Sequence, residues 1–565
     1  MDSNRIVMPM GKHPLGTSAR VLLTSVFGPF AQDDEYGGRA LNPMELYHNQ
    51  VTRFQRAFSL RMFHRSWGLM LIQANISAPC ALLDFPTLDR FIDELEREPY
   101  DIVGIGAIIP NVGKVEKMCD LIRSRLPNAK IVVGGHVANL PNLEKRIDAD
   151  YIVKGEGVRW FRAYLGEPVD HPMAHLRVPS GFGARAMGTV LSENPSSTAA
   201  TLIPSVGCPL GCNFCSTSAM FGGKGNFVNF LNTGKDLFHV MLELEREMKV
   251  RSFFVMDENF LLHRKRALEL LDLMKQHCKS WSLYVFSSAN VLRSYHIEQL
   301  IGLGISWIWM GLEGKNSTYA KLKGTDTVEL VRELQSHGIR VLGSSIIGLE
   351  DHTPENIDEI IEHAVLHETE FHQFMLYTPL PGTALFEEHK ARKTLIDPEC
   401  VETADMHGQL KFFHRHPHIP MGLETEYLHR AFLRDFEVNG PSVVRMARTL
   451  LQGWKRYRHH PEARIRARVR WEASELSTLY AGMLWASKRW FAHQPALCAK
   501  IGVVLKDIFR TFGLKARLSA PLIGRILIHR LRREDQRIQS GVTYEPRTFY
   551  EKTNQLQRVA CLGGH

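Results

Sequence analysis

No apolar run in the 565-residue chain reaches the ~18 residues that a bilayer-crossing helix needs. The opening MDSNRIVMPMGKHPLG lacks the basic and then apolar order of a secretory signal, so a cytoplasmic location is expected. Repeats of fixed period and low-complexity tracts are missing, which excludes solenoid and low-complexity classes. Cysteine is sparse, with nine residues, and in a reducing compartment these do not form a disulfide framework. Acidic residues run short in one place. Between 441 and 540 stand 21 Lys and Arg against 6 Asp and Glu, a local +15 that leaves −6 for the rest of a chain of net charge +9. Arguments from basic charge are therefore confined to that region.

What is present is ordinary globular composition, 44% apolar and 23% charged, at a length that implies two to four domains. From 15 to 178 short apolar runs alternate with amphipathic stretches. RVLLTSVF (20–27), GLMLIQANI (68–76), DIVGIGAII (101–109), AKIVVGG (129–135) and ADYIVKGEG (149–157) read as strands. FPTLDRFIDELEREP, VGKVEKMCDLIRSRLP and NLEKRID read as helices between them. Strands apolar throughout and separated by helices predict a doubly wound, Rossmann-like or flavodoxin-like α/β domain. Residues 179–197, with Gly, Ser and Pro, read as a linker. From 198 to 400 six further strand-like runs, TLIPSVG, SFFVMDENF, WSLYVFSSAN, ISWIWMGLE, IRVLGSSIIGLE and EFHQFMLYTPLPG, predict a partial (β/α)6 barrel with its chemistry at the C-terminal strand ends. Residues 401–565 read as a basic, mostly helical region.

Three of the nine cysteines crowd into VGCPLGCNFCST, at Cys208, Cys212 and Cys215. The other six (Cys80, Cys119, Cys278, Cys400, Cys498, Cys561) are expected as small apolar residues. A C-x3-C-x2-C loop directly after a strand supplies three thiolates, the soft ligands that iron-sulfur clusters take, and leaves one iron of a cubane without a protein ligand. Structural zinc would want a fourth Cys or His at regular spacing, and none stands nearby. A vacant coordination position is what a metal site doing chemistry needs.

With Phe214 just before its last cysteine, this loop resembles the signature of the radical S-adenosylmethionine (SAM) superfamily. The resemblance implies a [4Fe-4S] cluster on Cys208, Cys212 and Cys215. It also implies that SAM chelates the open iron, and that a low-potential electron from a flavodoxin- or ferredoxin-type donor splits it to a 5′-deoxyadenosyl radical. It further implies that Phe214, Asp257, Glu258 and Asn259 (in FFVMDENF), Gly311 and Glu313 (in MGLEG), and Ser345, Gly348 and Glu350 (in SSIIGLEDHT) meet SAM. YTPLPGTALF (377–386) is similar to the subfamily with an N-terminal cobalamin-binding domain. That places cobalamin near the strand ends SVFGPF, IGAIIPN, VGGHVA and KGEG, against Gly134, Gly135, His136, Gly155, Glu156 and Gly157. The D-x-H-x-x-G motif that gives cobalt a lower histidine in many cobalamin proteins is absent. His136 stands outside that context, as a loop histidine near the corrin.

The resemblance implies a C-methyltransferase acting on an unactivated carbon of a hydrophobic or natural-product-like small molecule or lipid. A cyclase, oxidase or rearrangement enzyme using the same two cofactors is the alternative. A non-catalytic cobalamin or iron-sulfur sensor on nucleic acid is a third, although no RNA module is visible. Methylthiotransferase is disfavoured, because Cys80 and Cys119 cannot hold a second three-cysteine cluster. The tail, with RARVRWEASELSTLYAGMLWASKRWF and LIGRILIHRLRR, reads as either a helical cap with a solvated basic face or a peripheral membrane contact.

Overall fold

The computed structural model describes residues 9–36, 41–194, 197–314, 319, 322, 325–397 and 401–553. Cys400, Cys561 and residues 195–196 of the expected linker lie outside these. A parallel sheet is built from β1 (Val21–Ser25), β2 (Cys80–Asp84), β3 (Ile102–Gly106), β4 (Lys130–Gly134) and β5 (Tyr151–Val153). Its order is β2-β1-β3-β4-β5, so the direction of winding reverses at β1 and β3. Helices Leu88–Arg97 and Val112–Arg125 pack on one face, and Trp67–Asn75 and Gly157–Tyr164 on the other. Every residue of β1 and β2 is buried, as strands covered on both faces require.

The second sheet holds β6 (Ala199–Leu202), β7 (Ser252–Val255), β8 (Ser282–Ser287), β9 (Ile305–Glu313), β10 (Arg340–Ile347) and β11 (Phe371–Leu376). They are all parallel and neighbours in chain order. This is the expected partial barrel.

Three expectations fail for physical reasons. Residues 68–76 are not a strand but most of helix Trp67–Asn75. Leu69, Met70 and Leu71 pack on the first sheet while the same cluster takes in Ile203, Val206 and Phe230 of the barrel. A helix sandwiched in this way is apolar all round, and its periodicity vanishes. The strand expected there is β2, a few residues later. NLEKRID shrinks to a single 3-10 turn, Leu143–Lys145. The stretch read as a linker is folded: Phe182–Ala186 pairs with Arg61–Phe63 and turns back as Thr189–Val190.

The C-terminal region is helical from Leu423 to Gln539, but it does not end as a separate layer. Its last strand, β12 (Phe549–Thr553), adds antiparallel to the free edge of β2. Glu545 accepts hydrogen bonds from the Phe30 and Ala31 backbone N–H groups, both at 2.9 Å. Buried Glu534 lies 3.9 Å from Arg61 and 3.4 Å from Arg185, and both guanidiniums sit over the Tyr544 ring. Ending the chain after Gly541 strips the edge of β2 and both Glu545 bonds. It is expected to lower the Tm by about 5 °C or more, with faster proteolysis of the first sheet, as read by calorimetry and limited digestion.

Candidate functional site

The three cysteines follow β6 on a loop held by its own turns. The Gly211 N–H donates to Cys208 O at 3.3 Å, the Cys215 N–H to Cys212 O at 3.0 Å, and the Ser218 hydroxyl to Cys208 O at 2.7 Å. Gly211 has φ of +61°, and a Cβ there would stand 2.4 Å from the Lys224 Cα. Only glycine lets the loop double back so tightly. Cys215 caps helix Ser216–Met220, its Sγ accepting from the Ser218 N–H at 3.4 Å. Burial, and then the neighbouring Cys215 and Cys212, push the Cys208 thiol up to about 11. Thiols crowded into one loop ionise together only around a cation. Among the described residues no three His, Cys, Asp or Glu side chains are arranged around a single ion position. Thiols that take separate corners of a cluster need no such arrangement.

A cavity of about 430 Å³ opens above this loop, lined by Cys208, Cys212, Phe214, Cys215, Glu258, Asn259, Gly311, Glu313 and Ser345. Nine of the expected residues thus meet at one place. Glu258 is the notable one: burial, and then the charge of Asp257, raise its carboxyl to about 7. Its Oε2 is buried without a hydrogen-bond partner. Asn259 is fixed by Ser288 at 3.1 Å, and Ser345 by His372 at 2.9 Å. Glu313 follows a break in the register between β9 and β10 and has φ of 54°.

Three expected contacts stand off the cavity wall. Asp257 faces away: it accepts from Ser205 at 2.6 Å and forms a buried ion pair with Arg266, so its charge is already matched. The Gly348 N–H donates to His352 Nδ1 at 3.0 Å, and a Cβ there would stand 2.2 Å from the Phe412 ring. Glu350 is half exposed and pairs with Arg392 at 2.7 Å.

Several residues on and behind the wall escaped the sequence reading. Asn213 donates to the Tyr377 hydroxyl at 3.2 Å and accepts from the Tyr319 hydroxyl at 3.2 Å, while its carbonyl takes the Leu385 N–H at 2.9 Å. Phe214 packs edge-on against Tyr319 and Tyr377. The cluster loop is therefore bolted to the end of β11. The deeper wall is aromatic, with Phe286 and Trp309 stacked at 5.0 Å, and Gln373 and His407 are its polar neighbours. Strand alternation places Phe286 and Trp309 inside the barrel, but nothing in their spacing marks them for a ligand.

A second cavity, about 370 Å³, lies at the strand ends of the first sheet. It is lined by Ser25, Val26, Gly106, Ala107, Ile108, Gly134, Gly135, His136, Gly155, Glu156 and Gly157. It thus includes the β1/β3 reversal, where open α/β sheets bind ligands. Val206, Met220, Phe221 and Phe230, from both sides of the cysteine loop, close it from the barrel side. A Cβ on Gly135 would stand 2.5 Å from the Ala107 carbonyl. The His136 Nδ1 is buried with no partner, and burial holds that imidazole below its ordinary value. Glu156 lines the cavity, yet its carboxylate caps helix Gly157–Tyr164 through the Val158 and Arg159 N–H groups at 2.5 and 3.0 Å.

Family models match this chain as a B12 binding domain over residues 64–165 and as the radical SAM superfamily over 202–364. An uncharacterized methyltransferase of Pyrococcus horikoshii is 26% identical over 52% of this chain and 71% of its own length. The bacteriochlorophyllide d C-12(1)-methyltransferase of Chlorobaculum tepidum is 24% identical over 60% of this chain and 79% of its own. The anaerobic magnesium-protoporphyrin IX monomethyl ester cyclase of Cereibacter sphaeroides is 23% identical over 56% and 58%. Gly135→Ala pushes the loop after β4 off Ala107. It is expected to weaken binding of hydroxocobalamin by about tenfold or more while leaving iron loading of the cysteine loop unchanged, as measured by absorbance titration and metal analysis.

Proposed function

Since the chain carries a B12 binding domain and a radical SAM domain, we propose that it is a cobalamin-dependent radical SAM methyltransferase. The observation that carries this reading is the pairing of two cavities across one loop. Three thiols and a carboxylate with one unpaired buried oxygen line one of them, and apolar, glycine-rimmed strand ends line the other.

In this reading Cys208, Cys212 and Cys215 hold a [4Fe-4S] cluster, Glu258 receives the amino group of SAM, and Asn259, Gly311, Glu313 and Ser345 form the rest of its bed. Gly134, Gly135, His136, Gly155 and Gly157 border the corrin. When bound, these groups supply electron transfer to SAM and a methyl carrier. The chain's own share is placement and dryness. Phe214 and Tyr377 shield the cluster loop, and Met220, Phe221 and Phe230 face the apolar slot. An aromatic wall of Phe286 and Trp309 offers a substrate surfaces to pack on and no group that titrates. Electrons come from a flavodoxin- or ferredoxin-type donor.

The linings also bear on the substrate. Among the described residues that border either cavity there is no Lys or Arg, and the acidic ones are Glu156, Glu258 and Glu313. A substrate rich in phosphate or carboxylate would find no counter-charge. A neutral, largely apolar molecule methylated at an unactivated carbon fits best. The cyclase relative supports a second reading, ring formation without methyl transfer. The two separate on one product: methyl transfer makes S-adenosylhomocysteine alongside 5′-deoxyadenosine, and cyclisation makes 5′-deoxyadenosine alone.

Anaerobic reconstitution with iron, sulfide, cobalamin, SAM and reductant is expected to yield 5′-deoxyadenosine. Cys212→Ala is expected to abolish it without unfolding the chain, and a normal rate in that variant ends the proposal. Glu258→Gln is expected to raise the Kd for SAM by about 10- to 100-fold, the worth of a hydrogen bond to a charged group. With its carboxyl lifted from 4.5 to about 7, Glu258 loses the carboxylate charge that accepts from the amino N–H of SAM as pH falls through 7. Wild-type affinity should therefore drop between pH 8 and 6 while that of the variant stays flat. The sign is opposite for the unliganded fold. The stabilisation from keeping Glu258 neutral is full below 4.5 and is lost as pH rises through about 7.

A further inference from the structure

The long helix Pro495–Gln539 is apolar on two sides, and its own core uses one of them. The helix bends at Gly513, where φ and ψ are 62° and −136°. Beyond the bend Ala516, Ala520, Leu527 and Leu531 are buried with Leu476, Ala481 and Leu484. On the opposite face Leu514, Leu518, Leu522 and Ile526 recur every fourth residue, and they are 70%, 59%, 62% and 57% exposed. At 1.5 Å per residue the stripe is about 18 Å long. Single exposed leucines are common on protein surfaces, but an aligned row of four is not.

The charge around the row is of one sign. From 508 to 533 the chain holds seven Lys and Arg and no Asp or Glu. At 100° per residue Lys515, Arg525, Arg532 and Arg533 fall in the same arc as the leucines, with Arg517 at its margin. All five are exposed, and none has an ion-pair partner among the described residues. No described helix is long and apolar enough to cross a membrane, so this face lies on a surface and does not pass through one.

We infer that the outward face of residues 514–533 docks on an anionic lipid bilayer, the leucine row entering the acyl boundary and the cations meeting the headgroups. A second copy of the chain fits less well, because a two-fold contact would set this unrelieved positive arc against itself. Nucleic acid would meet the cations but leave the leucines in water. The inference is independent of the catalytic reading, since it uses no residue of either cavity.

The full-length protein is floated with phosphatidylglycerol vesicles and with phosphatidylcholine vesicles. Binding is expected to the anionic vesicles, falling as salt rises, and not to the zwitterionic ones. A variant with Leu514→Ser, Leu518→Ser, Leu522→Ser and Ile526→Ser, and another with Arg517→Glu, Arg525→Glu and Arg533→Glu, should each lose about tenfold or more in partitioning. Both should keep the wild-type unfolding temperature, because these side chains touch no core. Three results would overturn the inference: wild type that ignores anionic vesicles, a serine variant that binds as well as wild type, or a solution dimer that the serine variant dissociates.

Discussion

One loop forms the wall between two cavities, and the rest of the molecule is arranged to hold that wall still. Residues 208–217 present thiols to the barrel cavity, while Val206, Met220 and Phe221 on either side of them seal the slot of the first sheet. A shift of the loop in one direction would open one site and crowd the other. The restraints come from both ends. Gly211 is pressed on Lys224, and Ser218 ties back to Cys208. Asn213 links the loop to Tyr377 at the end of β11 and to the start of helix Ala384–Ala391. Rigid placement of this kind matters more than any single contact, because a reaction shared between two cavities depends on a fixed separation.

Electrostatics divides labour between adjacent residues in the same spirit. Asp257 and Glu258 are neighbours in the chain and both largely buried, yet Asp257 is paired with Arg266 while Glu258 lines the cavity with its Oε2 unpaired. The ion pair anchors the segment, and it also keeps a negative charge beside Glu258 that raises its proton affinity. A cationic ligand that reaches Glu258 relieves that cost, so the site favours positive over neutral occupants before any shape is considered. Neither cavity wall carries a Lys or Arg among the described residues, which sharpens the same preference.

Much of this was legible in the sequence, and the rest was hidden for identifiable reasons. The six barrel strands, the doubly wound sheet and the thiol loop follow from apolar runs, turn residues and cysteine spacing, all local signals. The identity of the useful carboxylate was not legible, since DEN gives no hint that Arg266, nine residues on, selects Asp257. Asn213, Tyr319 and Tyr377 are joined by packing across more than 160 residues of chain. Helix Trp67–Asn75 was mistaken for a strand because its two faces serve two domains at once.

The tail shows the same limit from the other side. Its composition reads as a helical cap or a peripheral membrane contact, but β12 returns to complete the edge of the first sheet, and Glu534 and Glu545 are anchored among residues of the N-terminal third. The chain is thus closed on itself, first domain to barrel to helices and back. Closure has a mechanical consequence. Helix Pro495–Gln539 runs directly into Glu534, Tyr544 and β12, so whatever its outward face rests on is held at a fixed attitude to the strand ends where both cavities open. An unanchored cap could not pass on orientation in this way, and a cap stitched to the opposite end of the chain can.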